Sequence, residues 1–175
     1  MAAAAPELTF LEGKKRVDVK VIDHYKLELY DHQGVLLASG ETQSYPTKYP
    51  LEMPIKKAGG EHVVTLKNQP NPPKGFFCFL DTAQNKPLSR AGTTEKDVQV
   101  TDGNGVVLFN LSRTAPPPET MYRIISANGR NAGEIKRFKQ RGNYVSSIYY
   151  ADMLTCTTQK ASIIAAVMAS EYKFP

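Results

Sequence analysis

The stretch that decides the fold is the last one, residues 157–175, which read TTQKASIIAAVMASEYKFP. From residue 161 to residue 169 every side chain is apolar or small, so a helix here has no polar face and must be enclosed on all sides. Crossing a bilayer takes about 20 apolar residues and this run is about half that, so the expected enclosure is protein and no transmembrane span is expected. Ala161, Ala165, Ala166 and Ala169 are strong helix formers, and Thr157 or Thr158 can cap the first turn. Ile163, Ile164 and Val167 would also suit a buried strand; the alanines favour the helix. The residues expected to be buried in it are Ala161, Ile163, Ile164, Ala165, Val167 and Met168.

The chain that precedes this segment reads as strands. Three stretches share one grammar, an apolar alternating run, a polar turn containing Gly, and a second apolar run: 24–38 around Asp31-His32-Gln33-Gly34, 98–111 around Asp102-Gly103-Asn104-Gly105, and 121–137 around Ala127-Asn128-Gly129-Arg130. Gly and Asn accept the positive φ that hairpin turns need, so each unit predicts a β-hairpin. A weaker copy spans 76–88. In 17–21 (Val-Asp-Val-Lys-Val) and 25–29 (Tyr-Lys-Leu-Glu-Leu) apolar and charged residues alternate, which gives a sheet one dry and one wet face. Further strands are expected at 61–66, 76–80 and 143–150, where aromatic and β-branched residues dominate. Pro46, Pro50 and Pro54, then Pro70, Pro72 and Pro73, then Pro116 to Pro118 read as breaks between hairpins, because proline fixes φ and lacks a donor.

Composition frames the function. A chain of 175 residues with 41% hydrophobic and 22% charged residues is long enough for one domain with its own core. The formal net charge of +5 is a mild bias toward anionic partners. Cys78 and Cys156 stand far apart with no zinc-ligand spacing, and the alanine run at the N-terminus has neither a basic n-region nor an apolar h-region. The expectation is a reducing, cytoplasmic setting with free thiols and no metal or other cofactor.

From residue 97 to the end, the order of these pieces resembles the phospholipid scramblase and Tubby C-terminal superfamily, LURP-one-related proteins included. Residues 97–110 look like a scramblase strand pair with its Gly-containing turn, and 121–125 with Asn128-Gly129 resemble the next. Gly133-Glu134-Ile135 is similar to the short Gly-x-Ile stretch that opens the following strand. Residues 160–174 resemble the terminal Lys-Ala, apolar helix and closing aromatic strand; the first half matches only in style, through Tyr30-Asp31 and Gly34-Val35. What the resemblance implies is a closed antiparallel barrel of about twelve strands wrapped around the C-terminal helix, with residues 1–12 a flexible segment and 13–175 a single domain. Closure removes sheet edges and gives the helix its apolar jacket. Scramblases carry an aspartate-rich stretch before the terminal helix; here 143–155 holds only Asp152, so neither a calcium site nor calcium-dependent scrambling is expected. A palmitoylated cysteine cluster and a proline-rich arm, which scramblases also carry, are likewise not expected here.

No phosphate-cradling loop, nucleophile elbow or zinc-protease motif occurs, and His24, His32 and His62 read as surface residues, so an enzyme is not expected. The lead is charge. Arg130, Lys136, Arg137, Lys139 and Arg141 fall within twelve residues that hold one acid, Glu134. Arg137, Lys139 and Arg141 would share a face if extended structure continued through them. Lys14-Lys15-Arg16 forms a second cluster. Two functions follow as expectations. The first is a non-catalytic scaffold subunit that presents loops, including 45–54 and 70–73, to protein partners in a larger assembly. The alternative is a peripheral module that binds phosphoinositides or other anionic lipids through Lys136, Arg137, Lys139 and Arg141, the role the Tubby resemblance implies. Nucleic acid is not an expected partner, since neither a recognition helix nor a basic-aromatic sheet motif is visible.

Overall fold

The computed structural model describes residues 6–22, 26–41, 51–70, 76–84, 86–93, 97–115 and 120–171. A 3-10 helix (Pro6–Leu11) is followed by β1 (Arg16–Ile22), β2 (Lys26–Asp31), β3 (Leu36–Glu41), β4 (Leu51–Lys57), β5 (His62–Pro70) and β6 (Phe76–Thr82). Then come β7 (Pro87–Thr93), β8 (Asp97–Asp102), β9 (Val107–Ala115), β10 (Thr120–Ser126), β11 (Asn131–Gln140), β12 (Asn143–Tyr150) and α1 (Thr157–Glu171). Each strand pairs antiparallel with its neighbours in sequence, and β1 closes onto β12. The result is the fold expected, a mostly β, closed antiparallel barrel of twelve strands around a C-terminal helix.

Alternation sets which way each strand faces. In β1, Val17 and Val19 are fully buried while Asp18 between them faces outward, and Leu27 and Leu29 of β2 repeat the pattern. Twelve strands leave a lumen wide enough for a helix, and α1 lies in it beside Leu8 and Leu11 of the 3-10 helix. Ala161, Ile163, Ile164, Ala165, Ala166 and Val167 are all buried; the side chain of Met168 lies outside the described ones. The small Ala161, Ser162, Ala165 and Ala166 keep the helix thin, which lets it lie against β6, β7 and β8.

Four hairpins, β2–β3, β4–β5, β8–β9 and β10–β11, close in the same way. The N–H of Gly34, Gly60, Gly105 and Gly129 donates to the carbonyl three residues back, and these glycines have φ of 80°, 97°, 85° and 86°. This is the three-residue loop that ends in a left-handed residue. Asp31 and Asp102 tighten their turns by accepting two backbone N–H groups each, from Gln33 and Val35 and from Asn104 and Val106. The N–H of Val35 above all, with that of Gln33 and the Lys14 ammonium, holds the Asp31 carboxyl below the usual carboxylate range against the opposing effect of burial.

Three expectations need correction. Pro54 does not break the chain: it lies within β4, opposite Thr65, with Met53 and Ile55 buried on either side. Pairing of β4 with β3 covers only residues 38–40 against 55–57, so Pro54 sits just past the end of that ladder, where a missing N–H costs no bond. Residues 51–54 of the expected loop 45–54 are therefore strand, and Pro70 ends β5, while 42–50 and 71–75 lie outside the described residues, as do Pro116 to Pro118. Second, within the segment 1–12, Pro6–Leu11 is an ordered 3-10 helix whose Leu8 and Leu11 are 0% exposed. Side chains three apart eclipse on a 3-10 helix, so both leucines reach the core together. Third, Thr157 does not cap α1. It is the first helical residue, its buried hydroxyl has no hydrogen-bond partner among the described residues, and the carbonyl that opens the helix is that of Cys156, which accepts from the Lys160 N–H at 3.0 Å.

Candidate functional site

The cationic cluster sits on β11, β12 and the turn between them. Its register runs Ile135 opposite Ile148, Arg137 opposite Ser146 and Lys139 opposite Tyr144. Ile135 and Ile148 point into the core, so Arg137, Lys139, Ser146 and Tyr144 continue the inner row toward the rim of the barrel. Lys136 lies on the other side. The four cations singled out from sequence are thus divided, with Arg137 and Lys139 on one face and Lys136 on the opposite one.

On the inner row the Arg137 guanidinium lies over the Tyr144 ring, 3.7 Å from its centroid, and the Lys139 ammonium lies 5.8 Å from the same ring. Tyr144 is 37% exposed, so this cation-aromatic stack opens to water. Arg141 occupies the first turn position with φ of 51°, followed by Gly142 at 85°. Two consecutive left-handed residues make the tight turn that matches strand twist, and Asn-Gly is its usual sequence. Arginine there is a strained choice that carries a charge to the tip of the hairpin. No acid occurs between Ile135 and Tyr150. The inner-row neighbours across the flanking strands are Val19, Val21 and Thr120, none of them charged.

The outer face carries ion pairs. Lys136 is 3.6 Å from Glu134 and 5.4 Å from the Tyr149 ring, while Arg16 covers that ring from the other strand at 5.4 Å and is held in two bonds by Asp18. Each cation here has its own acid, so this patch is a solvated ion-pair lattice of small energetic weight. Lys14 and Lys15 of the second basic cluster are also occupied, by Asp31 at 3.5 Å and Asp152 at 3.1 Å.

Sequence reading missed two residues of consequence. Tyr144 is one; it was legible only as part of an aromatic strand, and its role as the platform between Arg137 and Lys139 depends on register. The other is Lys160, a lone cation at the head of the apolar run, which the fold buries to 3% exposure. Of the histidines, His32 is exposed in its turn, His62 lies 2.9 Å from the Thr65 hydroxyl and 3.0 Å from the Val64 carbonyl, and His24 is outside the described residues. Among the described residues no three His, Cys, Asp or Glu side chains converge as metal ligands, and no helix is long and apolar enough to cross a membrane. Cys156 is a free thiol.

No protein-family model matches the chain, and no curated protein matches its sequence. Among solved structures, the X-ray structure of a protein from Arabidopsis thaliana, AT5G01750, is similar, with a TM-score of 0.60 at 12% identity over 99% of this chain and 100% of that one. At that identity the likeness speaks to the barrel and not to what either protein does.

Proposed function

We propose that this protein is a non-catalytic binding module of the scramblase and Tubby-like kind that docks on an anionic, phosphate-bearing membrane surface through the β11–β12 hairpin. The observation that carries this reading is the rim stack of Arg137, Tyr144 and Lys139 with Arg141 held at the tip, on a hairpin without an acid from 135 to 150. Basic side chains near an anionic bilayer contribute about 1 kcal/mol each, and three together give useful but salt-sensitive binding. Flotation with phosphoinositide-containing vesicles tests it. Binding falls as salt rises, and the combined change Arg137→Glu, Lys139→Glu, Arg141→Glu weakens it at least about tenfold, whereas Lys136→Glu on the outer face has a smaller effect. Binding that ignores salt, or survives the triple change, removes the reading.

An assembly subunit is the second reading, and the opposite rim favours it. There Val35, Val106 and Met153 remain 54%, 59% and 51% exposed on three separate turns and links. Co-purification in a stable complex that is lost on Val35→Ser, Val106→Ser and Met153→Ser, with vesicle binding intact, would select this reading over the first.

A further inference from the structure

Lys160 is a buried cation that has no counter-ion among the described residues. Its Nζ donates to the carbonyl oxygens of Leu11 at 3.3 Å and Lys14 at 2.6 Å, and lies 5.3 Å from the Tyr150 ring. Among the described residues no carboxylate pairs with it, and Asp31 and Asp152 are taken by Lys14 and Lys15. Removing an ammonium from water is costly, and carbonyl dipoles and a ring offset that cost only in part. The position is a cation built into an apolar wall.

That wall borders an apolar cavity of ≈ 20 Å³, lined by Leu29, Leu66, Ile164 and Ala165 and roofed by Leu8 and Leu11 of the N-terminal 3-10 helix. Leu11 belongs to both features, since its side chain lines the cavity while its carbonyl accepts from Lys160. The roof is held by side chains rather than by the sheet: no strand ladder includes residues 6–14, the backbone hydrogen bonds of Glu12 and Lys14 return to Thr9 and Leu11 within the segment itself, and what ties it down is the burial of Leu8 and Leu11, the Lys160 bonds and the Lys14–Asp31 pair. A ligand that supplies equivalent apolar and polar contacts can therefore take their place without breaking a strand pairing.

We propose that the seat of the 3-10 helix is a binding site for a single-chain carboxylate amphiphile, a fatty acid, whose tail replaces Leu8 and Leu11 between α1 and the strands and whose carboxylate replaces the two carbonyls at Lys160. One buried cation matches one carboxylate; a phosphate dianion would bring more charge than this wall can neutralise. The site lies at the rim opposite the β11–β12 hairpin and is independent of it.

The full chain is titrated with palmitate and with methyl palmitate, stoichiometry is read by native mass spectrometry, and hydrogen exchange is followed at the amides of residues 8–14. One palmitate binds per chain, those amides exchange faster as it binds, and the ester binds at least about tenfold more weakly. Lys160→Arg keeps the preference for the acid and Lys160→Met abolishes it. No saturable binding, equal binding of acid and ester by the unmodified protein, or unchanged exchange at residues 8–14 overturns the proposal, and none of these readings needs the Met variant to fold. The triple hairpin variant binds palmitate like the unmodified protein, so a failure of the membrane reading and a failure of this one are told apart.

Discussion

The phenolic hydroxyl of Tyr150 donates to the carbonyl oxygen of Lys160 at 3.0 Å, joining the last residue of β12 to the first turn of α1. The backbone of Tyr150 also donates to Lys15, so one residue ties the helix, the start of β1 and the end of the barrel together. Tyr150→Phe keeps the ring over Lys160 and removes only the donor. The expected loss is about 1 kcal/mol, which lowers the melting temperature by about 2–4 °C in a chain of this size. A thermal or urea melt of the two proteins measures it.

The same pair makes stability depend on alkaline pH. Burial pushes the Tyr150 hydroxyl well above its ordinary value, so the folded form keeps a proton that the unfolded chain loses above about pH 10. Stability contributed by the neutral phenol is whole below that pH and falls by up to about 1.4 kcal/mol per pH unit above it. Burial pushes Lys160 down, so its contribution has the opposite sign: full above about 10.4, lost as pH falls toward the depressed folded value. Urea midpoints for the unmodified protein and Tyr150→Phe should converge, then cross, as pH rises above 10. Parallel curves would contradict the burial of this hydroxyl.

Gly133 lies in β11 opposite Tyr150, with φ of 142°, and a Cβ there would collide with the carbonyl oxygen of Tyr149. The obstacle is backbone inside a ladder, which cannot move aside. Gly133→Ala is expected to cost more than about 3 kcal/mol or to prevent folding. Gly129→Ala, where the added carbon meets open space but φ is positive, should cost about 1–2 kcal/mol. The contrast between the two, read by urea denaturation, separates steric closure from turn preference.

Ile163 is 0% exposed at the centre of the buried helix. Ile163→Ala removes most of its side chain from a closed lumen that cannot collapse around the gap. A loss of about 2–5 kcal/mol follows, measured by urea denaturation.

Arg141→Asn should stabilise the β11–β12 turn by about 1 kcal/mol, since asparagine accepts the left-handed conformation that arginine resists. The same change should weaken vesicle binding. A variant more stable and equally well bound would show that the tip charge has no part in docking.

Much of this protein was legible along the chain. Alternation at 17–21 and 26–29 told which side chains face the lumen, and the Asp31, Asp102 and Asn128 turns placed three hairpins, because these signals are local and repeat every two residues or every few. β4 was not legible, since Pro54 is tolerated only where pairing with β3 stops, a fact about its neighbour. Nor was the 3-10 helix, whose two leucines carry meaning only once there is a lumen for them to enter.

The sequence by itself determined that residues 161–167 need a complete apolar enclosure, because no face of that helix could meet water. Only the tertiary structure decided what surrounds them and which cations act together. Lys136 and Arg137 are adjacent in the chain yet lie on opposite faces of one strand, and Lys160 and Leu11, far apart in the chain, share a hydrogen bond. Side-chain direction and long-range contact are set by register and closure, which no single stretch of sequence contains.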